Sequence, residues 1–96
     1  MPAYVIVDTK INDPDGYEEY KALAKPIAER YGGEYLVRGG EIDLIDDDLW
    51  TPTRIVLVRF PDRAAARAFH DSEEYAAVAA LRHEYADSTL MIVDGD

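Results

Sequence analysis

Two segments of this chain, Val5-Ile6-Val7 and Ile55-Val56-Leu57-Val58, are apolar at every consecutive position. Successive side chains of a strand point to opposite faces, so strands with this pattern are apolar on both. The chain has 96 residues, which sets a single domain over residues 1–96. A layer of helices built from so short a chain covers one face of a sheet. The second apolar face then needs a cover from elsewhere, because monomers rarely leave a large hydrophobic patch in water. A homodimer in which two sheets pack face to face is the simplest cover.

The remaining elements follow from local signals. Pro2 to Lys10 reads as the first strand. Asp13 is placed to cap a helix with Pro14 at its first position. Tyr17, Tyr20, Ala24, Ile27 and Tyr31 share one face of a helix from about Pro14 to Tyr31. Pro26 is expected to kink that helix or restart it, and Gly32-Gly33 to end it. Glu34–Arg38 and Glu41–Ile45 flank Gly39-Gly40, a pattern that predicts a tight hairpin. Asp46-Asp47-Asp48 reads as a solvated loop leading to Trp50. The strand Arg54–Phe60 follows, then a helix from Pro61-Asp62 through RAAARAFH. Asp71 or Ser72 caps a further helix from Glu73 to about Ala86, and Thr89–Val93 forms the last strand. The order βα, hairpin, βα(α), β predicts an α+β fold of ferredoxin-like type, an antiparallel sheet with helices on one face.

Charge and composition narrow the function classes. Twenty acidic residues against ten basic ones leave a net charge of −10. Nucleic-acid binding draws on clustered Lys and Arg, and anionic membranes attract basic segments, so neither partner is expected. Cys is absent, which excludes disulfides, thiolate metal sites and a thiol nucleophile. No apolar run approaches the ~20 residues of a membrane span. Met1 leads directly into a strand with no basic n-region, so the expected location is cytoplasmic. Glycine-rich phosphate motifs are missing, and the two histidines have no metal spacing. Asp46-Asp47-Asp48 lacks the glycine and glutamate of an EF-hand loop. No cofactor and no metal are therefore expected.

Candidate site residues are few. Arg38 and Arg54 stand at strand ends beside turns, where they can rim a pocket and clamp a carboxylate or enolate. The ordinary alternative is an ion pair with a nearby acid. Trp50, the single Trp, can wall an apolar pocket, anchor a partner subunit or fold onto its own core. Tyr17 and Tyr20 offer hydroxyls as weak acids or hydrogen-bond donors, although a tyrosine stripe is ordinarily core. His70 is a candidate base near neutral pH, and its place at a helix end equally suits the helix dipole. His83, beside Arg82 and Glu84, reads as exposed.

The segments DPDGYEEY, YGGEYLVRGG, W-x-P-x-R before VLVRFPD, RAFHDSEEY and the terminal MIVDGD resemble the thirteen-thirty family of domains of unknown function. That family lies within the dimeric α+β barrel superfamily, so the resemblance implies the same fold and dimer. It implies no particular reaction. Relatives in the superfamily include cofactor-independent monooxygenases, small isomerases and stress proteins, and fold does not choose among them. Two readings follow. One is a protein that binds or transforms a small molecule, with Arg38 and Arg54 as anion anchors and Tyr17, Tyr20 or His70 supplying proton chemistry. The other is a non-catalytic dimeric stress or accessory module.

Overall fold

The residues read as two-faced strands do form the centre of a sheet. A computed structural model describes the whole chain, Met1–Asp96. Its elements run β1 (Ala3–Ile11), α1 (Pro14–Arg30), β2 (Glu34–Arg38), β3 (Ile55–Phe60), α2 (Arg63–Asp71), α3 (Glu73–Tyr85) and β4 (Ala86–Asp94). The sheet order is β2-β3-β1-β4, with each neighbouring pair antiparallel. This is the ferredoxin-like α+β arrangement.

The helix ends obey local chemistry. The Asp13 side chain accepts from the Gly16 N–H at 3.2 Å and opens α1. The helix continues through Pro26 without interruption. It closes as the glycine pair predicts: Gly33 donates to the Ala28 carbonyl and Gly32, at φ 90°, to that of Glu29. Asp62 caps α2 and Ser72 caps α3 through the Ala65 and Tyr75 N–H groups.

Alternation along the strands sorts the side chains. Val5, Val7, Val56, Val58 and Phe60 face the helices and are buried with Ala24, Ile27, Ala28, Ala66, Phe69, Tyr75 and Val78. The opposite face carries Tyr4, Ile6, Leu57, Met91 and Val93. The register joins them into one patch: Ile6 lies opposite both Leu57 and Met91, Tyr4 opposite Val93, and Val37 opposite Leu57. No element of the chain covers this face.

Two expectations are corrected. Glu41–Ile45 forms no strand, and residues 39–54 are a loop. Gly39, at φ 74°, donates its N–H to the Ile55 carbonyl at 2.8 Å. That bond extends the β2–β3 ladder and turns the chain back toward β3, so Glu41–Ile45 has no strand to pair with. The apolar residues of the loop are exposed in the single chain, Ile42 and Leu44 at 39% and 44% and Ile45 at 81%. The last strand also begins earlier than Thr89. Ala86, Asp87 and Ser88 pair with Ile11, Lys10 and Thr9, because the length of β1 extends the ladder to the end of α3.

Candidate functional site

Where α1 and α3 meet the sheet, side chains leave a cavity of about 30 Å³. Its walls are Val7, Tyr17, Tyr20, Lys21, Ala24, Tyr35, Arg38, Arg54, Val56 and Arg82. The structure thus brings together four of the residues singled out from sequence: Arg38 and Arg54, from opposite strand ends, and Tyr17 and Tyr20, from α1. Glutamate, aspartate and histidine are absent from the wall.

The arginines are held without carboxylates. The Arg54 guanidinium lies 5.4 Å from the centroid of the Tyr17 ring, and its Nη1 donates to the Tyr17 hydroxyl at 3.5 Å. Arg38 sits 4.9 Å from the centre of Tyr35 and donates to the Lys21 carbonyl oxygen at 3.0 Å. Arg82 is only 5% exposed, and its Nε has no hydrogen-bond partner. Its other contact is a long one, 3.5 Å from Nη2 to the His83 ring, which itself lies at the surface. The ion pairs of the chain are Lys21–Glu18, Arg30–Glu74, Arg63–Asp94, Arg67–Asp71 and His70–Asp71. None includes Arg38, Arg54 or Arg82. The ion-pair alternative for Arg38 and Arg54 is therefore not what the structure forms. Lys21 pairs with Glu18 at 2.8 Å, and that hydrogen bond is the main reason the Glu18 carboxyl sits below its usual range, with the charges of Arg54 and Arg38 adding to it from a distance.

The phenols are hydrogen-bonding groups rather than bases. Tyr20 and Tyr75 share a hydrogen bond of 2.8 Å between their hydroxyls. Burial, then the neighbouring Tyr75, pushes the Tyr20 hydroxyl well above the normal phenol range. Burial also pushes Tyr35 up to about 12, against the opposing pull of Arg38. Both stay neutral at physiological pH and can donate to an anion. Behind them runs a row of rings. Tyr17 meets Tyr20 at 5.2 Å, Tyr75 meets Phe69 at 4.5 Å, and Phe69 stacks on Phe60 at 5.5 Å. The cavity is the polar end of the aromatic core.

A glycine and an aspartate fix the position of Arg54. A Cβ on Gly39 would lie 2.6 Å from the Arg54 Nε, so only glycine leaves the guanidinium its path. The half-buried Asp8 accepts the N–H groups of Thr53 and Arg54 at 2.8 and 3.0 Å and the Trp50 indole N–H at 3.0 Å. Burial raises the Asp8 pKa, but the hydrogen bonds from Thr53, Arg54, Trp50 and Thr9 outweigh it and leave the carboxyl below its ordinary value. A carboxyl lowered in this way contributes stability in full above its unfolded pKa and loses it as pH falls through the folded one. Acid titration is therefore expected to free residues 50–54, with a midpoint below 3.8. Trp50 is the single Trp and reports the event by fluorescence. Asp8→Asn is expected to show the freed spectrum at neutral pH already. Identical titrations for wild type and variant would mean that Asp8 does not hold this strap.

The structure does not bring Trp50 or His70 to the arginines. Trp50 lies on the opposite face of the sheet, beside Ile6, Ile55 and Met91 in a hollow of about 210 Å³. His70 sits in the last turn of α2, where the dipole favours a cation. It contacts Asp71 at 3.2 Å and lines a groove with Arg63 and Arg67. Tyr31 lies at the far end of α1 against Phe69. Asp46, Asp47 and Asp48 are exposed, and the Thr51 hydroxyl donates to Asp47 at 3.0 Å. Sequence reasoning missed Arg82. Its signal was present: Tyr75, Val78 and Arg82 fall at helical spacing on one buried face of α3, and an arginine in an apolar stripe needs a reason.

Known structures share this architecture. The chain is similar to a protein of unknown function from Rhodopseudomonas palustris, with TM-score 0.74, 21% identity, and coverage of 99% of this chain and 82% of that one. It is similar to a dimeric ferredoxin-like protein of unknown function from Jannaschia sp. CCS1, with TM-score 0.76, 16% identity, and coverage of 99% and 100%. It is also similar to SnoaB, a cofactor-independent oxygenase from Streptomyces nogalater, with TM-score 0.72, 11% identity, and coverage of 99% and 93%. At such identities the likeness establishes the fold. No protein of curated function matches the sequence. The pattern of one family spans residues 2–96, and the chain belongs to that family, Domain of unknown function (DUF1330).

Proposed function

We propose that this protein works as a homodimer and binds a small organic anion, a carboxylate or an enolate, in the cavity between α1, α3 and the sheet. The convergence of Arg38, Arg54 and Arg82 on one cavity, none of them in a contact ion pair, carries the reading. In a chain of net charge −10, unpaired arginines would be expected to find acids. Arg82 is the buried one of the three, Arg38 and Arg54 being part-buried; an unpaired buried cation is unfavourable in a low-dielectric site, and an anion offsets that cost. Arg38 and Arg54 anchor it, while Tyr17 and Tyr20 donate hydrogen bonds. The enolate case is the chemistry of a cofactor-independent oxygenase or isomerase, and the fold shared with SnoaB supports it. The wall holds no carboxylate or imidazole to remove a proton, so the chain's own contribution is to stabilise the anion once formed.

The dimer reading rests on the apolar patch of Tyr4, Ile6, Leu57, Met91 and Val93, which no helix or strand of the chain covers and only Trp50 borders. Exposed Ile42, Leu44, Ile45, Leu49 and Trp50 in the loop add to it. The Jannaschia protein of the same fold is dimeric.

The test is a thermal-shift screen of small carboxylic acids and enolisable ketones. A ligand at a hundred times its dissociation constant stabilises by ~2.7 kcal/mol, enough to read as a shift in melting temperature. At least one anionic class is expected to stabilise the wild type, and Arg38→Ala to abolish the shift while the dimer persists. A flat screen across both classes would favour the non-catalytic module instead.

A further inference from the structure

We infer that the anion is the planar carboxylate head of a small monocarboxylic acid, and that Arg82 is its deepest binding residue; the inference rests on the anion site proposed above. Arg82 projects from the last turn of α3 into the cavity and is buried. Its Nε lacks any partner, although an unpaired buried donor on a charged group is among the costliest features a fold can carry. The guanidinium presents its N–H groups in a flat fork that matches two carboxylate oxygens. A single water would satisfy one N–H and leave the charge uncompensated.

Size and lining choose the head group. A volume of about 30 Å³ holds about two water-sized atoms, which suits the two oxygens of a carboxylate and excludes the four of a phosphate or sulfate. Val7, Ala24 and Val56 line the same space and leave room for the apolar carbon that bears the carboxylate. The body of the acid points outward past Lys21 and Arg38. These two residues also line the adjoining surface groove of about 350 Å³ beside α1.

Sodium propanoate and sodium phosphate, at equal ionic strength, are the probes, read by melting temperature and by calorimetric titration. Propanoate is expected to stabilise the wild type and phosphate to leave it unchanged. Arg82→Met, similar in length and uncharged, is expected to lose the propanoate response and to melt higher than wild type without ligand, since the uncompensated charge is gone. Arg82→Lys keeps the charge but loses the fork, and is expected to bind propanoate at least about tenfold more weakly. It keeps the test decisive if Arg82→Met does not fold. Equal stabilisation by phosphate would overturn the carboxylate assignment, and unchanged propanoate affinity in Arg82→Lys would overturn the role of Arg82. If Arg38→Ala still abolishes binding of an enolisable compound in either case, the anion site stands and only this inference fails. If the wild type answers to no anion at all, the site itself is refuted.

Discussion

Leu57→Glu is expected to turn the dimer into a monomer. Leu57 lies at the centre of the open sheet face, opposite Ile6 on one side and Val37 on the other. In the free chain it is only part-buried, so a carboxylate there remains in contact with water and the monomer should keep its fold. Between two packed sheets the same carboxylate has no cation and no water. Burying it costs several kcal/mol per chain, and a symmetric interface incurs the cost twice. Each tenfold loss in affinity corresponds to ~1.4 kcal/mol, so the dissociation constant should rise by several powers of ten. Sedimentation velocity at micromolar concentration should show the variant at the 10.8 kDa of one chain and the wild type at twice that mass. The far-UV circular dichroism should match that of the wild type. A variant that stays dimeric would place the interface elsewhere.

Phe60→Ala is expected to be the most destabilising single truncation. Phe60 is fully buried, stacks on Phe69 at 5.5 Å and lies close against Gly33. Phe-to-Ala changes in cores cost ~3–5 kcal/mol through lost transfer energy and the cavity left behind. Whole domains of this kind are stable by only ~5–15 kcal/mol. The urea midpoint should therefore fall by a large fraction, measured at one fixed protein concentration because dimerisation contributes to stability. The row of rings from Phe60 through Phe69 and Tyr75 to Tyr20 ends at the cavity. Anion binding should weaken together with stability. A loss below ~1 kcal/mol would mean that neighbouring side chains collapse into the space.

The helix boundaries were legible because caps are local chemistry. Asp13, Asp62, Ser72 and the Gly32-Gly33 pair each act within a few residues of the end they mark. The two-faced strands were legible for the same kind of reason, since an unbroken apolar run is a property of one segment. The 39–54 loop was not. Ile42 and Leu44 alternate with acids as in a strand, yet Gly39 directs the chain back onto β3, and what those side chains face is not encoded next to them. The start of β4 depends on the length of its partner β1. At the site, Arg38 and Arg54 could be read from their places at strand ends. Their freedom from carboxylates could not, because ion pairing depends on distant parts of the chain. Arg82 is the extreme case: the rest of the cavity wall comes from α1, β1, β2, β3 and the residue before β3, and only folding shows that a buried arginine shares a cavity with two others.

Native mass spectrometry of the purified protein, with propanoate and without, tests the central claim most directly. The account predicts a two-chain species that takes up up to one small acid per chain, and no uptake by Arg38→Ala, which stays two-chain. A one-chain species under gentle conditions would contradict the dimer. A two-chain species that takes up no acid, in the presence of propanoate or of the enolisable compounds, would contradict the anion site.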